Sequence, residues 1–173
     1  MATRLVNKAK ASTLLQIAIG IEEAEFNKYI DEAQKFDFKE LVCDQFYADL
    51  LAKKDMPEWK KLIDGATYAV DGRTYEFSGF DAVISYFAYS RMVVNGPIVS
   101  TSHGMVTKTT PYSEPVPLEE RRNIYYKKRE EANKLMSDVV KFIELNMDVY
   151  DSWNCSNDCS PKRKTGFSTT VIK

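Results

Sequence analysis

SGFDAVISYFAYSRMVVNGP, residues 78–97, decides the fold, because it reads as one buried helix with its own start and stop. Ser78 stands where a side chain can cap the first free amides, and Asp81 follows three residues on in a weak form of the capping box. Asn95-Gly96 supplies a left-handed C-terminal cap, and Pro97 forbids continuation. Between these ends Val83, Ile84, Tyr86, Phe87, Ala88, Tyr89, Met92, Val93 and Val94 leave only Asp81, Ser85, Ser90 and Arg91 clearly polar. A helix that is apolar nearly all round is enclosed by protein or by lipid. At about 1.5 Å per residue it reaches only about 24 Å, and serines and an arginine interrupt it, which argues against a membrane span. The expectation is a central post in a mainly α fold: a small helical bundle around a central buried helix, with one β-hairpin, a long extended loop and an extended C-terminal arm.

Upstream of the post the segments are too short to be stable helices alone and need it as a packing partner. Phe26, Tyr29, Ile30 and Ala33 share one face of a helix predicted over 22–36, with Glu22, Glu23 and Glu25 near its positive end. A second helix over 38–53 carries Leu41, Val42, Gln45, Phe46, Asp49 and Leu50 at three-and-four spacing. A third starts at Pro57, between Asp55 and Glu58, buries Trp59, Leu62 and Ile63, and ends at Asp64-Gly65. In 67–77, TYAVDGRTYEF, Asp71-Gly72 suits a type I′ turn that pairs Val70 with Arg73 and Tyr68 with Tyr75. Before residue 22, Leu15, Ile17, Ile19 and Ile21 alternate with Gln16, Ala18 and Gly20. That is the period of a half-buried strand, with a helix start as the open alternative, and residues 1–12 read as an arm.

Downstream, residues 97–117 are rich in Ser, Thr and Pro, with apolar islands at Ile98, Val99, Met105 and Val106. Loops of that length are uncommon in compact domains unless they serve a function, and the β-branched islands favour an extended, partly paired course; an interaction loop and a plain surface loop both fit. From Pro117 a helical pattern runs to about Asn146. Tyr125, Ala132, Leu135, Val139 and Phe142 form one stripe, and Met136, Val140, Ile143 and Met147 add a second only in the later half. The earlier half, EERRNIYYKKREE, holds the ion pairs Lys127–Glu131 and Glu130–Lys134. It is either a solvated end or a projection that meets a neighbouring subunit through Tyr125 and Tyr126. The last stretch, CSNDCSPKRKTGFSTTVIK, carries a basic cluster of Lys162, Arg163 and Lys164. It ends in Phe167, Val171 and Ile172, apolar residues that an inert tail does not need; a strand added to a partner is one reading of them. The organisation is therefore 1–21 as N-terminal arm and possible strand, 22–154 as helical domain and 155–173 as extended C-terminal arm.

Composition narrows the function classes. A chain of 173 residues with 44% hydrophobic and 28% charged residues has the make-up of a globular domain with a real core, and its net charge of −1 is wrong for coating nucleic acid by bulk charge. The first residues, MATRLVNKAKAS, lack the long apolar run of a signal peptide, so cytosolic synthesis is expected. Cys155 and Cys159 are spaced as half a metal site. Completing it would need Cys43 and His103 to converge, and the plainer reading is two thiols in a tail. There is no phosphate loop, nucleophile elbow or metal-binding helix motif. His103 is the only imidazole, and adjacent carboxylates such as Glu22/Glu23, Glu119/Glu120 and Glu130/Glu131 diverge by roughly 100° on a helix. The chain therefore reads as no enzyme, with no cofactor and no bound metal.

Several ordered motifs go further. Glu32-Ala33-Gln34-Lys35-Phe36-Asp37, then Leu41-Val42 and Phe46-Tyr47-Ala48-Asp49-Leu50, then Tyr86-Phe87-Ala88-Tyr89-Ser90-Arg91 with Asn95-Gly96, and finally Ser102-His103-Gly104-Met105-Val106-Thr107-Lys108 with Ser113-Glu114-Pro115-Val116 follow one another over about 22–146. Together they resemble the head-to-tail adaptors, also called connector or head-completion ring proteins, of crAss-like and other Bacteroides tailed phages. His103 departs from the aromatic or aliphatic residue expected there, and no motif of the family carries over to the arm at 155–173.

The resemblance implies a structural virion protein, made in the host cytoplasm and placed in the neck. Its partners would be further copies of itself in a ring, a dodecamer by resemblance, together with the portal protein, other neck or tail ring proteins, and double-stranded DNA passing through without sequence-specific binding. No membrane is implied. A ring built from head-to-tail contacts needs two different patches on each subunit. The candidate interface residues are Ile98, Val99, His103, Met105, Val106, Lys108, Tyr112, Tyr125, Tyr126, Lys162, Arg163, Lys164, Phe167, Val171 and Ile172. The alternative is a small cytosolic regulatory or nucleic-acid-binding domain that uses the basic arm.

Overall fold

The computed structural model describes residues 3–102, 104–107 and 116–154. In chain order these form α1 (Lys8–Leu14), α2 (Glu23–Ala33), α3 (Asp44–Lys53), α4 (Pro57–Asp64), a hairpin of β1 (Ala66–Val70) and β2 (Arg73–Phe77), α5 (Gly79–Asn95), a second hairpin of β3 (Ile98–Thr101) and β4 (Gly104–Thr107), and α6 (Leu118–Glu144). The fold is mainly α, and α5 is its post. Phe80, Val83, Ile84, Phe87 and Ala88 are at most 1% exposed. The helix is lined by α6 along its length and by α2, α4 and α1 elsewhere.

The ends of α5 differ from the expected caps. Ser78 makes no side-chain cap bond, and Gly96 is right-handed at φ −57°, its N–H still donating to the carbonyl of Met92 at 2.7 Å. The left-handed glycine stands at the other end: Gly79 has φ +72°, opposite Gly65 at φ +86° at the close of α4. A Cβ on Gly79 would lie 2.3 Å from the Ile63 carbonyl oxygen and 2.4 Å from the Gly65 nitrogen. Backbone thus crosses backbone at the base of the first hairpin, and only glycine leaves room.

Between those glycines the first hairpin has the predicted register, with Val70 opposite Arg73 and Tyr68 opposite Tyr75. Asp71 at φ 50° and Gly72 at φ 73° make the type I′ turn. The hairpin is anchored by aromatic contacts: the Tyr68 and Tyr75 rings stack at 5.7 Å, and Phe77 and Tyr68 meet Phe142 of α6 at 4.6 and 5.2 Å.

Upstream, residues 15–21 form no strand: neither two-stranded hairpin of the described residues pairs with them. Their alternation survives only in burial, with Ile17 and Ile21 packed on the core and Ile19 fully exposed. The arm expected before them holds α1 instead. Asn7 Oδ1 accepts from the Lys10 amide at 2.9 Å, and Val6 and Ala11 are buried. Nor does the helix break near residue 37. It widens into a π turn (Gln34–Phe38) and a 3-10 turn (Lys39–Leu41) before Val42 becomes extended. Gln34, buried there, accepts from the Leu5 amide and donates to the Thr3 carbonyl and the Tyr47 hydroxyl, which ties the N-terminal segment down.

After α6 the chain turns back through Asp151–Asn154, and Tyr150 and Trp153 close the core. Trp153 meets Phe46 edge-on at 4.9 Å, and Tyr150 meets Trp59 at 5.6 Å. The Tyr150 hydroxyl donates to the Glu58 carbonyl at 2.9 Å. Burial, with the Glu58 carboxylate adding to it, pushes that phenol up to about 12, so it remains a neutral donor. Of the ion pairs expected on α6, Glu130–Lys134 forms at 2.8 Å, but Glu131 is taken by Lys128, three residues away, rather than by Lys127. Among the described residues no helix is long and apolar enough to cross a membrane. The C-terminal arm lies outside the described residues.

Candidate functional site

The site is the end of the molecule where α5 leaves the core and α6 enters it. The two helices run antiparallel, and across residues 118–131 only Arg121 is buried. Its guanidinium donates to the Val94 carbonyl at 3.1 Å, a cation on the negative end of α5. The next two turns are fixed by a clamp. Asp37, delivered into the interior by the π turn, accepts from Arg91 Nε on one oxygen and from Arg129 Nη1 on the other, both at 2.6 Å. Arg91 also reaches Glu32 at 3.3 Å. Arg129 lies over the rings of Phe87 and Tyr125 at 5.0 and 5.3 Å, and Lys128 over Tyr86 at 5.0 Å. Burial opposes the charge on Arg91, but its bond to Asp37 and the nearby carboxylates outweigh this and raise its pKa. Two cations and two carboxylates satisfy one another, so the clamp holds three helices in register.

What that rigid joint presents is apolar. The second hairpin pairs Val99 with Val106 and Ser100 with Met105, and among the described residues it packs on no other element to any large extent. Met105 is 75% exposed, Val106 49% and Ile98 36%. At the start of α6 the exposed Val116, Leu118 and Tyr126 continue the apolar character, and the Tyr126 ring stands edge-on to Tyr125 at 5.3 Å. Of the residues singled out from sequence, Ile98, Met105, Val106 and Tyr126 are therefore exposed, and Tyr125 is half-buried beneath Arg129. Val99 sits in β3. His103, Lys108, Tyr112, Lys162, Arg163, Lys164, Phe167, Val171 and Ile172 lie outside the described residues.

Polar clefts occur at the other end of α5. Two adjoining clefts of about 440 and 330 Å3 share Lys10, Asp64 and Asp81 in their walls. Lys10 Nζ lies 3.1 Å from Asp81 Oδ2 and 3.5 Å from Asp64 Oδ1, which latches α1 onto the start of α5. Burial raises the Asp81 pKa, opposed by Lys10 and by the Ala82 amide, which donates to Oδ1 at 2.6 Å. The Cys43 sulfur caps α3 by accepting from the Phe46 amide at 3.4 Å. Among the described residues no group of three or more His, Cys, Asp or Glu side chains is placed to hold a metal ion. The sequence reading missed Asp37, Arg129 and the Lys10–Asp81 latch; Arg91, lone and charged in an apolar helix, was the available sign of the clamp.

The molecule is thus a mainly helical protein with exposed apolar residues on its second hairpin and at the end of a clamped helix pair. A family model described as a family of unknown function, DUF6712, matches residues 38–163, and the chain belongs to that family. No curated protein and no solved structure matches it.

Proposed function

We propose that this protein is a structural subunit of a tailed-phage neck, a head-to-tail adaptor that docks on the portal in a ring of identical copies and extends the DNA channel towards the tail. The ordered motifs of residues 32–116 supply the resemblance, and the observation that carries the reading is the second hairpin. A two-stranded hairpin is marginal in water, and this one shows Ile98, Met105 and Val106 to solvent while resting on no other described element to any large extent. Such an element is stabilised when a neighbour covers it. The clamp of Asp37, Arg91 and Arg129 fixes the α5–α6 pair whose end the hairpin follows, which suits a contact repeated around a ring.

In this reading the protein resides in the virion neck, with portal and tail-side ring proteins above and below it. DNA slides past without being gripped, since each neutralised phosphate would add salt-dependent affinity. Mass photometry of the purified protein, alone and mixed with the portal oligomer of the same phage, followed by imaging of the large species, tests this. A closed ring formed with the portal is expected. A protein that remains monomeric in both samples over a wide concentration range would contradict it, and steep, salt-sensitive DNA binding below micromolar concentration would favour a nucleic-acid-binding role instead.

A further inference from the structure

In an antiparallel pair every second residue of each strand turns its N–H and C=O outward, and no third strand pairs with either outer edge of the second hairpin among the described residues. Apolar side chains are exposed on both faces: Ile98 and Met105 fall on one by register, Val106 on the other. A hairpin with open edges and unburied faces is a template for one more strand.

The chain itself carries a segment with the matching chemistry. Phe167-Ser168-Thr169-Thr170-Val171-Ile172 consists of aromatic, β-branched and hydroxyl residues, free of Gly and Pro, and follows Lys162-Arg163-Lys164. The last described turn is held at the far end of the molecule. Trp153 packs on Phe46, and Phe46 on Phe80 at the start of α5, whereas the hairpin follows the end of α5, one helix length of about 26 Å away. Residues 155–166 span up to about 40 Å when extended, enough to leave one molecule and reach the next.

We infer that residues 167–172 of one copy add as a third strand to the β3–β4 hairpin of a neighbouring copy. The donor lies at one end of the subunit and the acceptor at the other, the arrangement that a head-to-tail ring contact requires. In placing the strand on a neighbour the inference rests on the ring reading.

Hydrogen exchange of the β3 and β4 amides in the full-length protein assembled with the portal tests it, compared with a Thr169→Pro/Val171→Pro variant whose tail has lost ladder donors. The expected result is exchange at least tenfold faster in the variant at the hairpin alone, with the helical core unchanged. A mixture of 14N- and 15N-labelled protein, crosslinked through Lys108 and Lys173, should give isotopically mixed pairs. Equal exchange in wild type and variant would overturn the added strand, and crosslinks confined to one isotope would overturn its exchange between copies. Failure of the ring itself is read separately: no large species forms with the portal, whatever the hairpin amides do.

Discussion

The two hairpins flank the same helix, and the molecule treats them in opposite ways. The first is closed at its base by a crossing of two glycine backbones and pressed by Tyr68 and Phe77 onto Phe142 of α6. The second has comparable strand lengths and the same antiparallel pairing, yet leaves Met105, Val106 and Ile98 in solvent. A hairpin needs a face to rest on. For the first that face is supplied by the chain; for the second we propose that another molecule supplies it.

The sharpest ways to break this comparison act on the first hairpin. Phe142→Ala removes the ring that both Tyr68 and Phe77 rest on and should cost about 3–5 kcal/mol in urea unfolding; a loss below about 1 kcal/mol would show that the first hairpin is no better anchored than the second. Gly79→Ala places a Cβ against backbone on a left-handed residue and should cost about 3 kcal/mol or more, again read by urea unfolding. Asp37→Asn leaves two guanidinium groups facing each other between α5 and α6 and should cost about 2 kcal/mol, moderated by the partial exposure of both arginines.

Asp81 gives a smaller effect with a defined sign. Burial raises its pKa in the folded state above the ordinary 3.8. The stability tied to it is therefore fully present below that ordinary value and is lost as pH rises through the raised one. Asp81→Asn keeps an acceptor for the Ala82 amide and removes the buried charge, so its melting temperature at pH 7 should equal or exceed that of wild type. A clear drop would mean that the Lys10 pair outweighs burial. The smallest effect on stability belongs to the second hairpin: Met105→Ser with Val106→Thr should shift unfolding by no more than about 0.5 kcal/mol, as expected of residues 75% and 49% exposed.

What could be read in the sequence followed from how local each signal was. The post was legible because its apolar residues are contiguous, and the first hairpin because Asp71-Gly72 specifies its turn by itself. Gly79 was not, since its left-handed backbone matters only where α4 crosses it. Residues 15–21 alternate correctly for a strand, but alternation carries no information about whether they pack against a strand edge or, as here, only against the core. The clamp joins Asp37, Arg91 and Arg129 across distant parts of the chain, and no local period links them. Tyr150 and Trp153 were available as two aromatics three apart in a polar run after the last helix, a spacing that a single helical turn can bury. At the candidate site the apolar islands Ile98, Met105 and Val106 were visible against a polar background. The choice of Lys128 over Lys127 by Glu131 depended on Tyr86, which lies beneath Lys128 on the neighbouring helix.

The central claim is that the second hairpin serves assembly and the first serves folding. It is tested most directly by mass photometry of the Met105→Ser/Val106→Thr protein mixed with the portal, beside wild type at the same concentration. The predicted result is ring-sized species with wild type and at least a tenfold loss of them with the variant, while both proteins melt at the same temperature. A variant that assembles as readily as wild type would contradict it.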